Sequence, residues 1–345
     1  MFKYILKRLL MMIPTFIGIT LVSFFIINAA PGGPVEQRLK EIRFGNTSSG
    51  GEASATSTSN SNYGVSDEVI AALKKQYGFD KPVHIRYFIW LKNILTLDFG
   101  ESFSYEEPVI DVIISKLPVS VQFGVISLIL TYLISIPLGI RMAVKEGTAF
   151  DFAASGSLFV LYSIPSVMLG ILLLIFFAGG SFLDWFPLGG LYSDQYYNLS
   201  FWGKVQDRIH HFILPLICYM IGGFTVLSLL MKNSLLGELK KDYVRTARAK
   251  GLDERKVIYK HALRNALIPV VTGIGGFIGV FFAGSLIIEQ IFNLDGIGLL
   301  GFKSTLDRDY NVIMALLFIT SCVTLVGRLI SDIIYVIVDP RMNFK

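Results

Sequence analysis

The chain has 345 residues, of which 53% are hydrophobic and only 17% charged, short of the quarter or so that a soluble domain carries. The charge is low because long segments hold none, which excludes an ordinary soluble globular protein and points to a polytopic membrane protein. A net charge of +5 says little as a total; its distribution along the chain says more.

Six apolar runs, near 9–30, 119–141, 152–178, 209–231, 267–289 and 312–338, can each cross a hydrocarbon layer about 30 Å thick, which takes roughly 20 helical residues. Backbone groups in lipid must be satisfied within the segment, so the runs predict helices and an all-α fold with six transmembrane helices. The first run follows Lys3, Lys7 and Arg8, as a signal peptide would. Its 22 residues exceed a signal-peptide core of about 7–15, and Pro31 behind Ala30 disfavours cleavage, so 1–30 is expected to stay as the first span. Lys/Arg counts set the orientation. With the N-terminus inside, the inner segments hold Lys3, Lys7, Arg8, Arg141, Lys145, ten Lys/Arg between Lys232 and Arg264, then Arg341 and Lys345. The two shorter outer loops hold Lys204, Arg208, Lys303 and Arg308. Both termini, including the tail 339–345, are expected in the cytoplasm, and the chain in a cytoplasmic (inner) membrane.

The outer segment 31–118 divides in two. Residues 45–66 are rich in Ser, Gly, Asn and Thr and read as a flexible linker. Ser66 reads as an N-cap, with Val69, Ile70, Leu73 and Tyr77 at helical spacing before Gly78. Pro82 opens a second amphipathic helix carrying Val83, Tyr87, Trp90, Leu91 and Ile94. The pair predicts an extracytoplasmic helical cap on the outer mouth, or a docking surface for a soluble partner.

The polar loop 232–266 is patterned. Tyr243, Val244 and Ala247 share one helical face; Arg245, Arg248 and Lys250 make the other basic. Gly251 allows a backbone break. Asp253 and Glu254 suit the start of a second helix and Lys260, His261 and Arg264 its end, with Val257, Ile258 and Tyr259 as an apolar patch. A polybasic lipid tether needs neither the glycine nor the patch. A nucleic-acid site is disfavoured, since no aromatic platform accompanies the basic residues. The loop therefore reads as a handle for a partner outside the bilayer.

Beyond it, Gly273, Gly275, Gly276 and Gly279 leave the fifth run small on its surface, which suits close helix packing. Glu289 and Gln290 at its outer end are candidates for an external gate. Arg328 and Asp332, four apart on the last run, are expected to pair. Cys218 and Cys322 lie in apolar runs and read as inert thiols. The four histidines lie outside the apolar cores, so no metal cluster is expected in the membrane. An intramembrane serine protease built on Ser285 would lack a general base. An ATP-independent transporter would need an ion site beside the interrupting Pro137 or Pro165, where no carboxylate stands.

The segment Asp242-Tyr-Val-Arg-Thr-Ala-Arg-Ala-Lys-Gly251, with Lys260-His-Ala-Leu-Arg-Asn-Ala-Leu-Ile-Pro269, resembles the cytoplasmic coupling loop of permease subunits of bacterial ABC importers in the peptide and nickel branch. Of the family's general pattern (Glu-Ala-Ala, three residues, Gly, nine residues, Ile-x-Leu-Pro), only Ala247, Gly251 and Leu263 fit; Thr-Ala-Arg-Ala-Lys-Gly with His-Ala-Leu-Arg-Asn-Ala is the peptide-branch form. Further branch signatures stand in order: Tyr4-Ile-Leu-Lys-Arg-Leu-Leu, Ala30-Pro-Gly-Gly-Pro, Tyr77-Gly-Phe-Asp-Lys-Pro, Asp98-Phe-Gly-Glu-Ser, Asn293-Leu-Asp-Gly-Ile-Gly, Arg308-Asp-Tyr and Asp339-Pro-Arg. The polar insert after Pro34-Val-Glu-Gln is similar to that of Yej-type permeases, which import oligopeptide-like substrates including microcin C.

The resemblance implies a type I ABC importer permease, a five-helix core over 119–338, and import of oligopeptides or peptide-like compounds, with dipeptides or nickel as the alternative. It implies a second, homologous permease, two cytoplasmic ATPases (or one fused chain) and a periplasmic binding protein. ATP and magnesium would sit on the ATPases, and this chain has no Gly-x-x-x-x-Gly-Lys-Ser/Thr motif of its own. Val257, Ile258 and Tyr259 would fill an ATPase groove, Arg245, Arg248, Lys250, Arg255 and Lys256 would pair with its acidic rim, and Arg264 and Asn265 would tie the second helix to the fifth span.

Overall fold

The computed structural model describes residues 2–29, 81–180, 182–274 and 284–338. Outside them lie the linker 45–66, the helix begun by Ser66, the tail 339–345, the middle of the fifth run with Gly275, Gly276 and Gly279, and the signatures at 30–34, 77–80 and 339–341. Among the described residues the structure is helical, apart from isolated bridges.

Helix α1 (Phe2–Ala29) precedes α2 (Val83–Leu95), α3 (Val109–Val144), α4 (Ala149–Ser163), α5 (Ser166–Phe177) and α6 (Phe201–Leu239). Then come α7 (Asp242–Ala249), α8 (Glu254–Lys256), a π-helical segment (Val257–Ala262) and α9 (Leu263–Thr272). The order closes with α10 (Leu286–Ile291), α11 (Ile297–Leu306) and α12 (Tyr310–Val338). Four helices, α1, α3, α6 and α12, are long and apolar enough to cross a membrane, and the bent pair α4–α5 makes a fifth span if counted as one. The fifth run of the sequence is described only at its ends.

Proline accounts for the bend. Ile164, pushed out of the helical region by the following Pro165, takes φ −82° and ψ 119°, and α4 and α5 meet at 96°. Pro137 leaves α3 unbroken; a membrane helix re-satisfies the freed carbonyl locally.

The chain forms two compact units. In the first, made of 1–10, 116–300 and 322–345, α6 packs against α4, α5, α7 and α9. One core gathers Met231, Leu235, Val244, Val257, Ala262 and Val270. A second holds Phe123, with Phe212 stacked on it at 4.3 Å and Tyr219 at 5.7 Å. Lys232 is not part of a solvated loop. It is part-buried near the end of α6, paired with the buried Asp151 and donating to Ser155 Oγ at 3.2 Å, which ties α6 to α4.

In the second unit, 11–115 and 301–321, Pro82 stands directly before α2. Tyr87 and Ile94 are buried. Tyr87 lies 5.4 Å from Phe24, and its hydroxyl bonds Thr20 Oγ1 at 3.1 Å. Two signatures meet here, through residues 207 apart. Asp309 Oδ2 accepts from Ser102 Oγ at 2.6 Å and from the Phe103 and Ser104 amides at 2.9 and 3.1 Å.

Candidate functional site

The basic loop is a folded helical hairpin on the end of α6. Gly251 takes φ +73°, a region costly for residues with a Cβ. Its amide donates to the Arg248 carbonyl at 2.9 Å and the Leu252 amide to the Ala247 carbonyl at 3.4 Å, the two bonds of a Schellman turn. Asp253 then caps the next helix by accepting from the Arg255 amide at 3.2 Å. Arg248 bridges the turn with a forked bond to Glu254, Nη2 to Oε1 at 2.7 Å and Nε to Oε2 at 3.1 Å. The Arg248 guanidinium holds the Glu254 carboxyl below its ordinary range, and Glu254 raises Arg248 in turn.

The apolar patch divides. Val257 and Ile258 are buried in the core with Leu235 and Val244, so they fasten the hairpin to its own chain and are not available to a partner. Tyr259 points out, 53% exposed. Leu252, which the pattern did not single out, is also exposed. Val244 and Ala247 are buried as their shared face predicted, with Tyr243 part-exposed at their edge. The Tyr243 hydroxyl donates to Glu238 Oε2 at 2.5 Å and accepts from Asn265 Nδ2 at 3.1 Å. Burial, then Glu238, pushes that phenol up. Asn265 thus ties α9 to α7.

The second helix does not end near Arg264. It continues through the π-helical segment into α9, because neither glycine nor proline interrupts it before Pro269. Lys260, His261 and Arg264 are therefore mid-helix, without a C-terminal dipole to favour them. Arg248 is taken by Glu254, whereas the sequence assigned it to a partner's acid. Arg245 stands 3.6 Å from Asp242 with both side chains widely exposed. Lys250, Arg255, Lys256, Lys260 and Arg264 are exposed and His261 half-buried. From 240 to 264 nine Lys/Arg face three Asp/Glu, so the outward face is strongly positive.

A second constellation surrounds Glu289, which is fully buried. Its Oε1 accepts from Ser120 Oγ at 2.8 Å, the Tyr219 hydroxyl at 3.2 Å and the Ser285 amide at 3.3 Å. Its Oε2 accepts from the Leu299 amide at 2.7 Å, in the first turn of α11. Ser120 Oγ also accepts from the Ile297 amide at 2.8 Å, and the Tyr219 hydroxyl from the Ser285 amide at 3.1 Å. Both hydroxyl protons are thereby directed at the carboxylate, an acceptor-only group. N–H and O–H donors oppose a bound cation, so this is an anchor and not an ion site. The chain passes close: a Cβ on Gly296 would stand 2.6 Å from the Glu289 carboxyl carbon. Glu289 therefore knots α3, α6, α10 and the Asn293-to-Gly298 signature together. Its side chain is enclosed by its own chain and faces no opening, whereas Gln290 beside it is exposed.

The last predicted pair is not formed. Asp332 accepts from Arg8 Nε at 3.2 Å, and Arg328 is exposed on α12. A cation N-terminal to the anion is the weaker order at i,i+4, and α1 brings Arg8 within reach. Cys218 is buried and Cys322 part-buried, both free. His211 is buried in α6, against the expectation, where Nδ1 meets the Asp207 carbonyl at 2.8 Å. No group of metal-ligating side chains occurs among the described residues.

The family of inner-membrane components of binding-protein-dependent transport systems matches residues 135–344. The chain is 48% identical over 357 residues to the peptidoglycan transport system permease protein YejB of Agrobacterium fabrum, across 99% of this chain and 98% of that one. It is 36% identical over 345 residues to the oligopeptide transport system permease protein AppB of Bacillus subtilis, across all of both. A chain of the MetNI methionine ABC transporter, solved in inward-facing conformations, shares the fold with a TM-score of 0.51 at 16% identity, across 68% of this chain and 99% of that chain.

Proposed function

Because the chain belongs to the family of inner-membrane components of binding-protein-dependent transport systems, we propose that it is the permease subunit of an ABC importer for oligopeptides or peptide-like compounds. The observation that carries this is end-to-end similarity to AppB and YejB, together with a rigid basic hairpin on the end of a membrane helix. In this reading both termini and the hairpin lie in the cytoplasm, and α2 lies outside. A companion permease completes the pathway, a periplasmic binding protein delivers substrate, and two ATPase subunits, or one fused chain, handle ATP and magnesium. The chain itself hydrolyses nothing.

The hairpin is the handle on which the ATPases pull. Tyr259 and Leu252 supply the apolar contact, and Arg245, Lys250, Arg255, Lys256, Lys260 and Arg264 meet acidic groups around it. Val257, Ile258 and the Gly251 turn make the handle stiff, so that closure of the ATPases moves α6 and α9 with it. Higher identity to a peptidoglycan transport permease than to AppB favours, as a second reading of the substrate, peptide-bearing cell-wall fragments. The test is uptake into vesicles holding the assembled importer, with and without ATP. Oligopeptides, muropeptides, dipeptides and nickel serve as competing substrates. ATP-dependent peptide uptake that falls with Tyr259→Ala supports the reading. Uptake indifferent to ATP refutes the mechanism, and uptake of nickel alone refutes the substrate.

A further inference from the structure

The connection between α5 and α6 folds over the first two turns of α6, within the first unit. The Gly190 amide donates to the Phe292 carbonyl at 2.8 Å, and the Ser193 amide to Asp207 Oδ2 at 3.0 Å, so the connection is pinned to the end of α10 and to α6. It carries a cluster of tyrosines. Tyr192 stacks on Tyr196 at 4.7 Å, and Tyr197 meets Tyr196 edge-on at 5.5 Å. From α6, Lys204 Nζ and the Arg208 guanidinium lie 5.6 and 5.8 Å from the centre of the Tyr196 ring.

Phe201, Lys204, Arg208, His211 and Pro215 recur three and four apart and so share one stripe of α6. His211 and Pro215 are buried on it, whereas Ile209, off the stripe, is 57% exposed. The two cations therefore face the chain's own connection and not the exposed side of the helix. Positive charge accumulates there without an answer. No acidic residue stands in the first turn of α6, although a helix N-terminus favours anions, and like charges four apart repel. The Asp207 carboxylate is spent on the Ser193 amide, with His211 Nδ1 at 3.8 Å from its other oxygen. Among the described residues neither Lys204 nor Arg208 forms an ion pair or a hydrogen bond, and Arg208 Nε is shielded without an acceptor. The ring face offsets part of the charge. The Tyr192 and Tyr197 hydroxyls bond each other at 3.3 Å, which uses one of their two protons and leaves one to donate. The bond to Tyr197 raises the Tyr192 phenol and the Arg208 charge opposes the rise, so hydroxyls and guanidinium share one locality.

From this convergence of donors without an acceptor we infer that the cluster is a landing site for the free C-terminal carboxylate of a peptide. The planar Arg208 guanidinium suits a carboxylate, Lys204 adds a second charge, and the remaining tyrosine proton a third donor. Tyr197 and Phe201, each 72% exposed, offer aromatic faces to the terminal side chain, so apolar C-terminal residues are favoured. A lipid phosphate fits less well, because the stripe turns away from the exposed side of α6. The substrate class, and the place of the site on the outer side of the membrane, rest on the function proposed above.

The test is equilibrium binding, without ATP, of a fluorescent Ala-Ala-Phe peptide and of its C-terminal amide to the full importer in nanodiscs. The acid is expected to bind at least about tenfold tighter than the amide. That ratio should collapse toward one in Arg208→Gln, be kept in part by Arg208→Lys and be unchanged in Lys303→Gln. Equal binding of acid and amide overturns the site, and so does a preference for the acid that survives Arg208→Gln. The wild-type ratio needs no variant, and Arg208→Lys keeps the charge over Tyr196 if Arg208→Gln does not fold. Displacement of the peptide by inorganic phosphate as readily as by the unlabelled acid assigns an unselective anion site and overturns the peptide. Weaker docking of the substrate-free binding protein to Arg208→Gln, with the acid-to-amide ratio unmoved, assigns the cations to that protein and overturns the proposal. Binding is read without transport. Loss of ATP dependence in the uptake assay thus strikes the importer reading, and loss of the acid-to-amide preference strikes this one.

Discussion

Glu289 is the residue whose removal has the most specific expected cost. Glu289→Ala would leave the Ser120 and Tyr219 hydroxyls and the Leu299 amide facing a void, for a loss of about 3–5 kcal/mol. Glu289→Gln keeps the volume but aims an NH₂ at donors, for about 1–3 kcal/mol. Thermal unfolding in detergent should rank the two in that order, and an unshifted midpoint for Glu289→Ala would refute the anchor. Arg248 and Glu254 are exposed, so their pair is worth under about 1 kcal/mol after screening. The folded carboxyl of Glu254 lies below its ordinary value. The pair's stabilisation is therefore complete above about pH 4.3 and fades as pH falls through the lower folded value. A double-mutant cycle at pH 7 should find coupling that shrinks at pH 3; coupling constant across that range would refute the sign. The sequence showed Glu289 as a polar residue at the end of a run and nothing more. Its partners lie at 120, 219, 285 and 299, and periodicity reports a face, never which distant atom meets it. The same blindness misassigned Asp332, whose cation comes from the other end of the chain.

At the scale of elements, local chemistry was more legible. The Gly251 turn, the Asp253 cap and the start of α2 at Pro82 are each written in a few adjacent residues, and each stands where the pattern put it. Gly251 meets open space, so a side chain there is opposed only by its positive φ. Gly251→Val is expected to cost about 1–2 kcal/mol, and Gly251→Asn less, because Asn visits that region. ATP-dependent uptake should follow the same order; full uptake by Gly251→Val would refute the need for a stiff turn. What the pattern left open was which apolar residues of the hairpin face inward. Val257, Ile258 and Tyr259 are consecutive, and the π-helical segment shifts the register by which a 3.6-residue period would sort them. The tie between α4 and α6 was hidden for another reason: Lys232 seemed the first residue of a polar loop, while its partner Asp151 lies 81 residues earlier. Lys232→Met should cost about 3–5 kcal/mol by stranding the buried carboxylate, and Asp151→Asn on that background should restore part of the midpoint.

For the whole molecule, hydropathy made the class and most of the spans readable, since lipid admits few alternatives to apolar helices. The all-helical permease fold follows, with the fifth run described only at its ends. Helix α6 has a consequence that neither the hairpin nor the carboxylate has by itself. Its 39 residues make a rod about 58 Å long, roughly twice the hydrocarbon thickness. The hairpin is packed on Leu235 at one end, and Tyr219, bonded to Glu289, lies about 24 Å further up. The helix is a lever: a tilt of about 5° swings one tip by about 5 Å relative to the other. Gly222, one of two adjacent glycines between them and open to a methyl group, is a place where the stiffness of the beam can be raised without a clash. Stiffening it by Gly222→Ala should pass more of each stroke to the Glu289 knot, while cutting Tyr219→Phe should let the far end slip, so that ATP is spent without a matching import of substrate.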